Sequence, residues 1–125
     1  MRVPILSELE LQAAVQLAPS STLREVAGAM EDAHVSCVLL ATSPPWIVTE
    51  HDLAGALAAG MTAESSVSQV ATKAPVWATT STTLEEAVSM MIDHGIRHLV
   101  VITPDGKPKG VLSINEAIRM LLQQS

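Results

Sequence analysis

Two stretches of this chain describe the same turn: "WIVTEHDLAGAL", residues 46–57, and "GVLSINEAIRML", residues 110–121. Each runs from strand-like residues through a hydroxyl and a carboxylate three positions apart into an apparent helix. The likeness extends upstream. Displacing the sequence by 61 residues lays "LSELELQAAVQLAPSSTLREVAGAMEDAHVSCVLLAT" over "VSQVATKAPVWATTSTTLEEAVSMMIDHGIRHLVVIT", with Leu23, Glu25, Met30 and Asp32 on Leu84, Glu86, Met91 and Asp93. Three extra residues in the second turn raise the displacement to 64. A duplication over almost the whole chain limits it to two similar units. The repeats are assigned to residues 5–60 and 67–123, joined by residues 61–66.

Each repeat reads as β-α-β-β-α. A short extended piece, 15–18 or 76–79, leads to a Thr-x-x-Glu capping box, Thr22 with Glu25 and Thr83 with Glu86, in which two side chains satisfy amides of the first helical turn. Leu23, Val26, Ala27 and Met30 then follow helical spacing, as do Leu84, Ala87, Val88 and Met91. "VSCVLLA" and "IRHLVVI" are continuous, β-branched runs of the kind that form buried strands. The second continues into the hairpin signal "TPDGKPKG", the first into the shorter "TSPP". A brief second strand delivers the chain to the hydroxyl-carboxylate motif and a last helix. The fold class expected is α+β.

Composition narrows the function. The net charge of −6 opposes general nucleic-acid binding, which needs basic surface against phosphates. The charge is uneven: from Gly95 onward Arg97, Lys107, Lys109 and Arg119 stand against Asp105 and Glu116, a balance of +2 that leaves −8 on the preceding residues. A local anion site in the C-terminal part is compatible with that. Cys37 is the single cysteine, so no intramolecular disulfide framework exists, and its apolar surroundings suit a reducing, cytoplasmic location. No apolar run reaches the length of a membrane span, and the N-terminus lacks the order of a signal peptide. His34, His51 and His94 show no metal-ligand spacing, and no phosphate loop, nucleophile elbow or zinc motif is present. No enzyme is expected.

The order of elements, with "TLEEAVSMMIDHGIRHLVVI", "GKPKGVLSINEAI" and "WIVTEHDLAGAL" at their places in it, resembles the cystathionine-β-synthase (CBS) domain over about residues 5–123. Tandem pairs of such domains are called Bateman modules. The resemblance implies two β-α-β-β-α CBS repeats packed with pseudo-twofold symmetry into one module, commonly paired again into a homodimer. It also implies adenosyl ligands, namely AMP, ADP, ATP or S-adenosylmethionine, bound for sensing, with no cofactor required and a regulated protein partner of unknown identity.

Position by position, Thr49 and Asp52 match the family's ribose-binding hydroxyl and acid, and Ser113 and Glu116 stand in the same places of the second repeat. A carboxylate can accept from both ribose hydroxyls. Glu116 departs from the usual Asp or Asn, and Trp46 from the usual Gly, which Gly110 supplies in the other repeat. The adenine is expected against Val15 and Leu17, or against Val76, Trp77 and Ala78. Arg97 and His98 match the family's phosphate-contacting position, where the first repeat has the uncharged Ser36 and Cys37. The resemblance thus implies one better-equipped anion site. Two readings stay open for the motifs: capping alone, as their position at a helix start allows, or capping together with ribose contact. Two also stay open for the chain, an adenosyl sensor or a ligand-free dimerisation and interaction module.

Overall fold

The computed structural model describes residues 3–73 and 75–123. A 3-10 turn at Leu6–Glu8 precedes β1 (Gln16–Leu17), α1 (Leu23–Ala33), β2 (Cys37–Leu40), β3 (Trp46–Thr49) and α2 (Glu50–Ala58). The series repeats as a 3-10 turn at Val67–Gln69, β4 (Trp77–Thr79), α3 (Leu84–His94), β5 (His98–Ile102), β6 (Pro108–Ser113) and α4 (Ile114–Gln123). The expected α+β class holds, as two three-stranded sheets with four helices.

In each sheet the middle strand is the apolar run: β1 pairs parallel to β2 and β3 antiparallel to it, and β4, β5 and β6 do the same. The parallel pair is reached through α1 or α3, the antiparallel pair through the turn. Helix starts follow the sequence. Thr22 Oγ1 accepts from the Glu25 amide and the Glu25 carboxylate from the Thr22 amide, at 3.1 and 3.0 Å. Thr83 and Glu86 repeat this at 3.1 Å in both directions. Both helices end on a left-handed residue, Gly95 at φ 64° and His34 at φ 55°. Only the glycine adopts that conformation without a Cβ penalty.

The chain divides into two compact units, one of residues 15–75 and the other of residues 1–14 with 76–125. These units do not follow the repeat boundaries, because the opening segment of each repeat enters the core of the other. Leu6, fully buried, belongs to a core with Ala78, Leu84, Met91, Leu99, Val101 and Leu112. Its repeat equivalent Val67, also fully buried, belongs to one with Leu23, Val26, Met30, Val38, Leu40 and Val48. Two of the bonds correspond directly. Leu84 N–H donates to the Pro4 carbonyl (2.9 Å) as Leu23 N–H does to Ser65 (3.0 Å), and Leu6 N–H donates to Thr82 as Val67 N–H does to Ser21, both at 2.8 Å.

Gly110 shows what this crossing demands. A Cβ there would lie 2.8 Å from the Gln12 carbonyl oxygen and 2.9 Å from Leu11 Cβ. At the equivalent position Trp46 packs partly buried against the first core, with the Lys73 ammonium 4.9 Å from its ring centroid, a cation-π contact.

Candidate functional site

Both hydroxyl-carboxylate motifs lie where a strand becomes a helix, as expected, but their hydrogen bonds differ. At the β3-α2 junction Asp52 Oδ2 accepts from the Thr49 amide (2.9 Å) and hydroxyl (3.1 Å), while Thr49 Oγ1 accepts from the Asp52 amide (3.3 Å). One carboxylate oxygen is therefore committed to the cap. At the β6-α4 junction Ser113 Oγ accepts from the Glu116 amide at 3.2 Å, and among the described residues the Glu116 carboxylate makes no hydrogen bond. Glu25 and Glu86 close their capping boxes with the same side chain, so Glu116 differs in conformation and not in reach. Both acids are half-buried.

Arg97 immediately precedes β5, which His98 begins. His98, half-buried, stands opposite Ser113 in the antiparallel register, and the Ile114 amide donates to the Arg97 carbonyl at 2.9 Å. Arg97 is exposed, and its guanidinium has no hydrogen bond or ion pair among the described residues. Two strands and one helix start thus bring Arg97, His98, Ser113 and Glu116 to one end of the second sheet.

Strand alternation fixes which face these residues share. Ala78, Leu99, Val101 and Leu112 enter the helix-covered core, so their neighbours Trp77, His98, Val100, Val111 and Ser113 occupy the opposite face. Trp77 pairs with Val100, two residues from His98. Of the residues expected near adenine, Val76 packs against the helix-side core and Ala78 is part of it; Trp77, half-buried, lies on the face of His98 and Ser113. An aromatic ring, an imidazole and a hydroxyl on one sheet face can stack on a heteroaromatic base and hydrogen-bond its polar substituents.

The first sheet has the same frame with different chemistry. Cys37 stands opposite Thr49, and the Glu50 amide donates to the Ser36 carbonyl at 3.0 Å, reproducing the Arg97-Ile114 bond. Val15 and Leu17 pack half-buried against the helix-side core and accept from the Leu39 and Ala41 amides, both at 2.8 Å. The residue in Trp77's place is Gln16, exposed and paired with Leu39. The 61-residue displacement that aligns the repeats places Gln16 there, within the piece 15–17 expected near adenine. Cys37 is buried, and desolvation pushes its thiol up from 9.0 to about 11, so it is a neutral group where the second sheet has a basic one. Among the described residues no cluster of His, Cys, Asp and Glu could hold a metal ion, and no helix is long and apolar enough to cross a membrane.

With this geometry in place, known proteins provide a comparison. A family model described as the CBS domain matches residues 67–123. An uncharacterized 17.7 kDa protein of Acidianus ambivalens is 31% identical over 107 residues, 83% of this chain; the chain spans 65% of that relative's length. A CBS domain protein of Pyrobaculum aerophilum, solved in complex with AMP, superposes with a TM-score of 0.85 at 28% identity, covering 98% of this chain and all (100%) of the other. A CBS-domain protein of Agrobacterium tumefaciens gives 0.82 at 24% identity over 94% and 98% of the two chains. A CBS domain pair solved with 5'-methylthioadenosine and S-adenosyl-L-methionine gives 0.88 over 99% and 100%, and at 12% identity it speaks for the fold alone.

Proposed function

This chain belongs to the CBS-domain family as a tandem pair of such domains, and from that premise we propose that it is a regulatory module that binds an adenosyl ligand and reports its level to a partner protein. The observation that carries this reading is the shared placement of Trp77, His98 and Ser113 on one face of the second sheet, with Arg97 and Glu116 at its end. In this reading Trp77 and the backbone of residues 76–78 receive the adenine. Glu116 and Ser113 receive the ribose hydroxyls, and Arg97 with His98 meets a phosphate. A carboxylate outside a capping turn is an acceptor for a diol, and an unpaired guanidinium is a donor for an anion. Support from similarity comes from the AMP complex of the Pyrobaculum aerophilum protein, which aligns over 98% of this chain and 100% of the other.

The first repeat offers a second, differently equipped set in Val15, Leu17, Thr49 and Asp52. Asp52 Oδ1 remains for a ribose, but Ser36 and the neutral Cys37 supply no cation. We assign phosphorylated ligands to the second repeat only. The ligand acts by population shift, favouring one arrangement of the protein by no more than its differential affinity. The protein acts in the cytoplasm as a homodimer, apart from membranes and nucleic acid, and without catalysis.

The commitment of Asp52 to its cap favours a second reading, a ligand-free interaction module that keeps the fold for dimerisation. Thermal-shift measurements with AMP, ADP, ATP, S-adenosylmethionine and NAD separate the two. Sensing requires stabilisation by at least one adenosyl compound that grows with its concentration. A flat response across the series favours the interaction module.

A further inference from the structure

We propose that residues 3–12 form a detachable strap, which opens and closes on the second-repeat unit as one body while the rest of that unit stays folded, and that Gly110 is the residue that lets it close. Backbone bonds tie the strap to the rest of the unit. Leu6 and Ser7 N–H donate to the Thr82 and Thr80 carbonyls (2.8 and 2.9 Å), Leu84 N–H to Pro4 (2.9 Å), and Val111 N–H to Gln12 (3.0 Å). Its apolar anchorage is the Leu6 side chain, with Val3, Leu9 and Leu11 partly buried beside it.

The segment that fills the equivalent seat in the other unit is tied differently where it meets the last strand. Ile47 and Thr72 exchange two hydrogen bonds, at 3.1 and 2.9 Å, where Val111 and Gln12 have one. Lys73 adds its cation-π contact with Trp46. The strap seat instead depends on a missing side chain: of the six glycines, Gly110 alone would bring a Cβ within 4 Å of a neighbour, and both nearest atoms belong to the strap. Its φ lies outside the range that excludes other residues, so the glycine serves the passage of the strap and not the bend of the strand. β6 carries Gly110 and Val111 directly into Ser113. Strap closure therefore bears on the strand that presents Ser113, whichever ligand that residue meets. Segments bound through few buried contacts are those that open below the global unfolding free energy.

Hydrogen exchange on the full chain, resolved by residue, tests this in the wild type, in Gly110→Ala and in Gly55→Ala, a helix position where an added Cβ meets nothing within 4 Å. In the wild type the amides of Leu6, Ser7, Leu84 and Val111 are expected to exchange at one common opening rate, at least roughly tenfold faster than those of Leu99 and Val100. Gly110→Ala raises that common rate roughly tenfold or more and leaves the Leu23, Val67, Ile47 and Thr72 amides unchanged, and Gly55→Ala leaves the strap amides at the wild-type rate. Exchange of the four strap amides in step with Leu99 and Val100 in the wild type overturns the proposal even if Gly110→Ala does not fold. Equal acceleration of strap and β5 amides in Gly110→Ala, or none, overturns the role of Gly110.

Discussion

At the scale of single residues, the two acids of the repeated motif differ in what they are already doing. Asp52 closes a capping box through one oxygen, whereas Glu116 leaves its carboxylate outside the turn. Asp52→Ala is expected to lower stability by about 1 kcal/mol through loss of the cap, read as a shift of the denaturant midpoint. Glu116→Ala is expected to weaken AMP roughly ten- to hundredfold, the loss of a charge-assisted bond of about 1.5–3 kcal/mol, with little change in stability. The sequence shows both motifs but not this difference, because the number of bonds a carboxylate has left depends on side-chain geometry. It shows Cys37 as buried, and burial has a pH consequence. The folded thiol ionises near 11 and the unfolded one near 9.0, so between those values the unfolded chain binds fewer protons and stability falls as pH rises. Denaturant titrations over that range should show the slope in the wild type and its loss in Cys37→Ala.

At the scale of elements, the local chemistry of the sequence and the structure agree most closely. The Thr-x-x-Glu boxes open α1 and α3, the apolar runs are the central strands, and "TPDGKPKG" turns between β5 and β6 through Gly106 at φ 82°. These signals lie within a few residues of each other, so sequence alone displays them. The caps also set an acid limit. Hydrogen bonds from the Thr83 amide and hydroxyl hold the Glu86 carboxyl below its ordinary 4.5. A lowered carboxylate contributes stability that is complete above the unfolded value and lost as pH falls through the folded one, so the loss lies below about 4.5. Glu86→Gln should flatten that part of the stability profile. At the helix ends His34 occupies a left-handed position that Gly95 takes freely. His34→Gly is expected to stabilise the protein by up to about 1 kcal/mol, measured by chemical denaturation.

At the scale of the whole molecule, the duplication was legible and the exchange of opening segments was not. Leu6 and Val67 align as ordinary apolar residues, and nothing in their local pattern says that each enters the core of the other repeat. The 3-10 turns that carry them are too short for a periodic signature. The same applies to the sheet face shared by Trp77, His98 and Ser113, which exists only once three strands are in register. The proposed homodimer belongs to this scale too: Ile92 on α3 with Ile118 and Leu122 on α4 are 64, 44 and 70% exposed, large apolar side chains that a symmetric contact would cover. Light scattering at tens of micromolar should give twice the chain mass, and Ile118→Glu should lower it. The most direct test of the central claim is calorimetric titration of the full chain with AMP and with adenosine, in the wild type and in Arg97→Ala. The account predicts saturable binding of both by the wild type, and in Arg97→Ala a loss for AMP of roughly ten- to hundredfold, with adenosine little changed. Absence of binding by either compound, or equal losses for both, contradicts it.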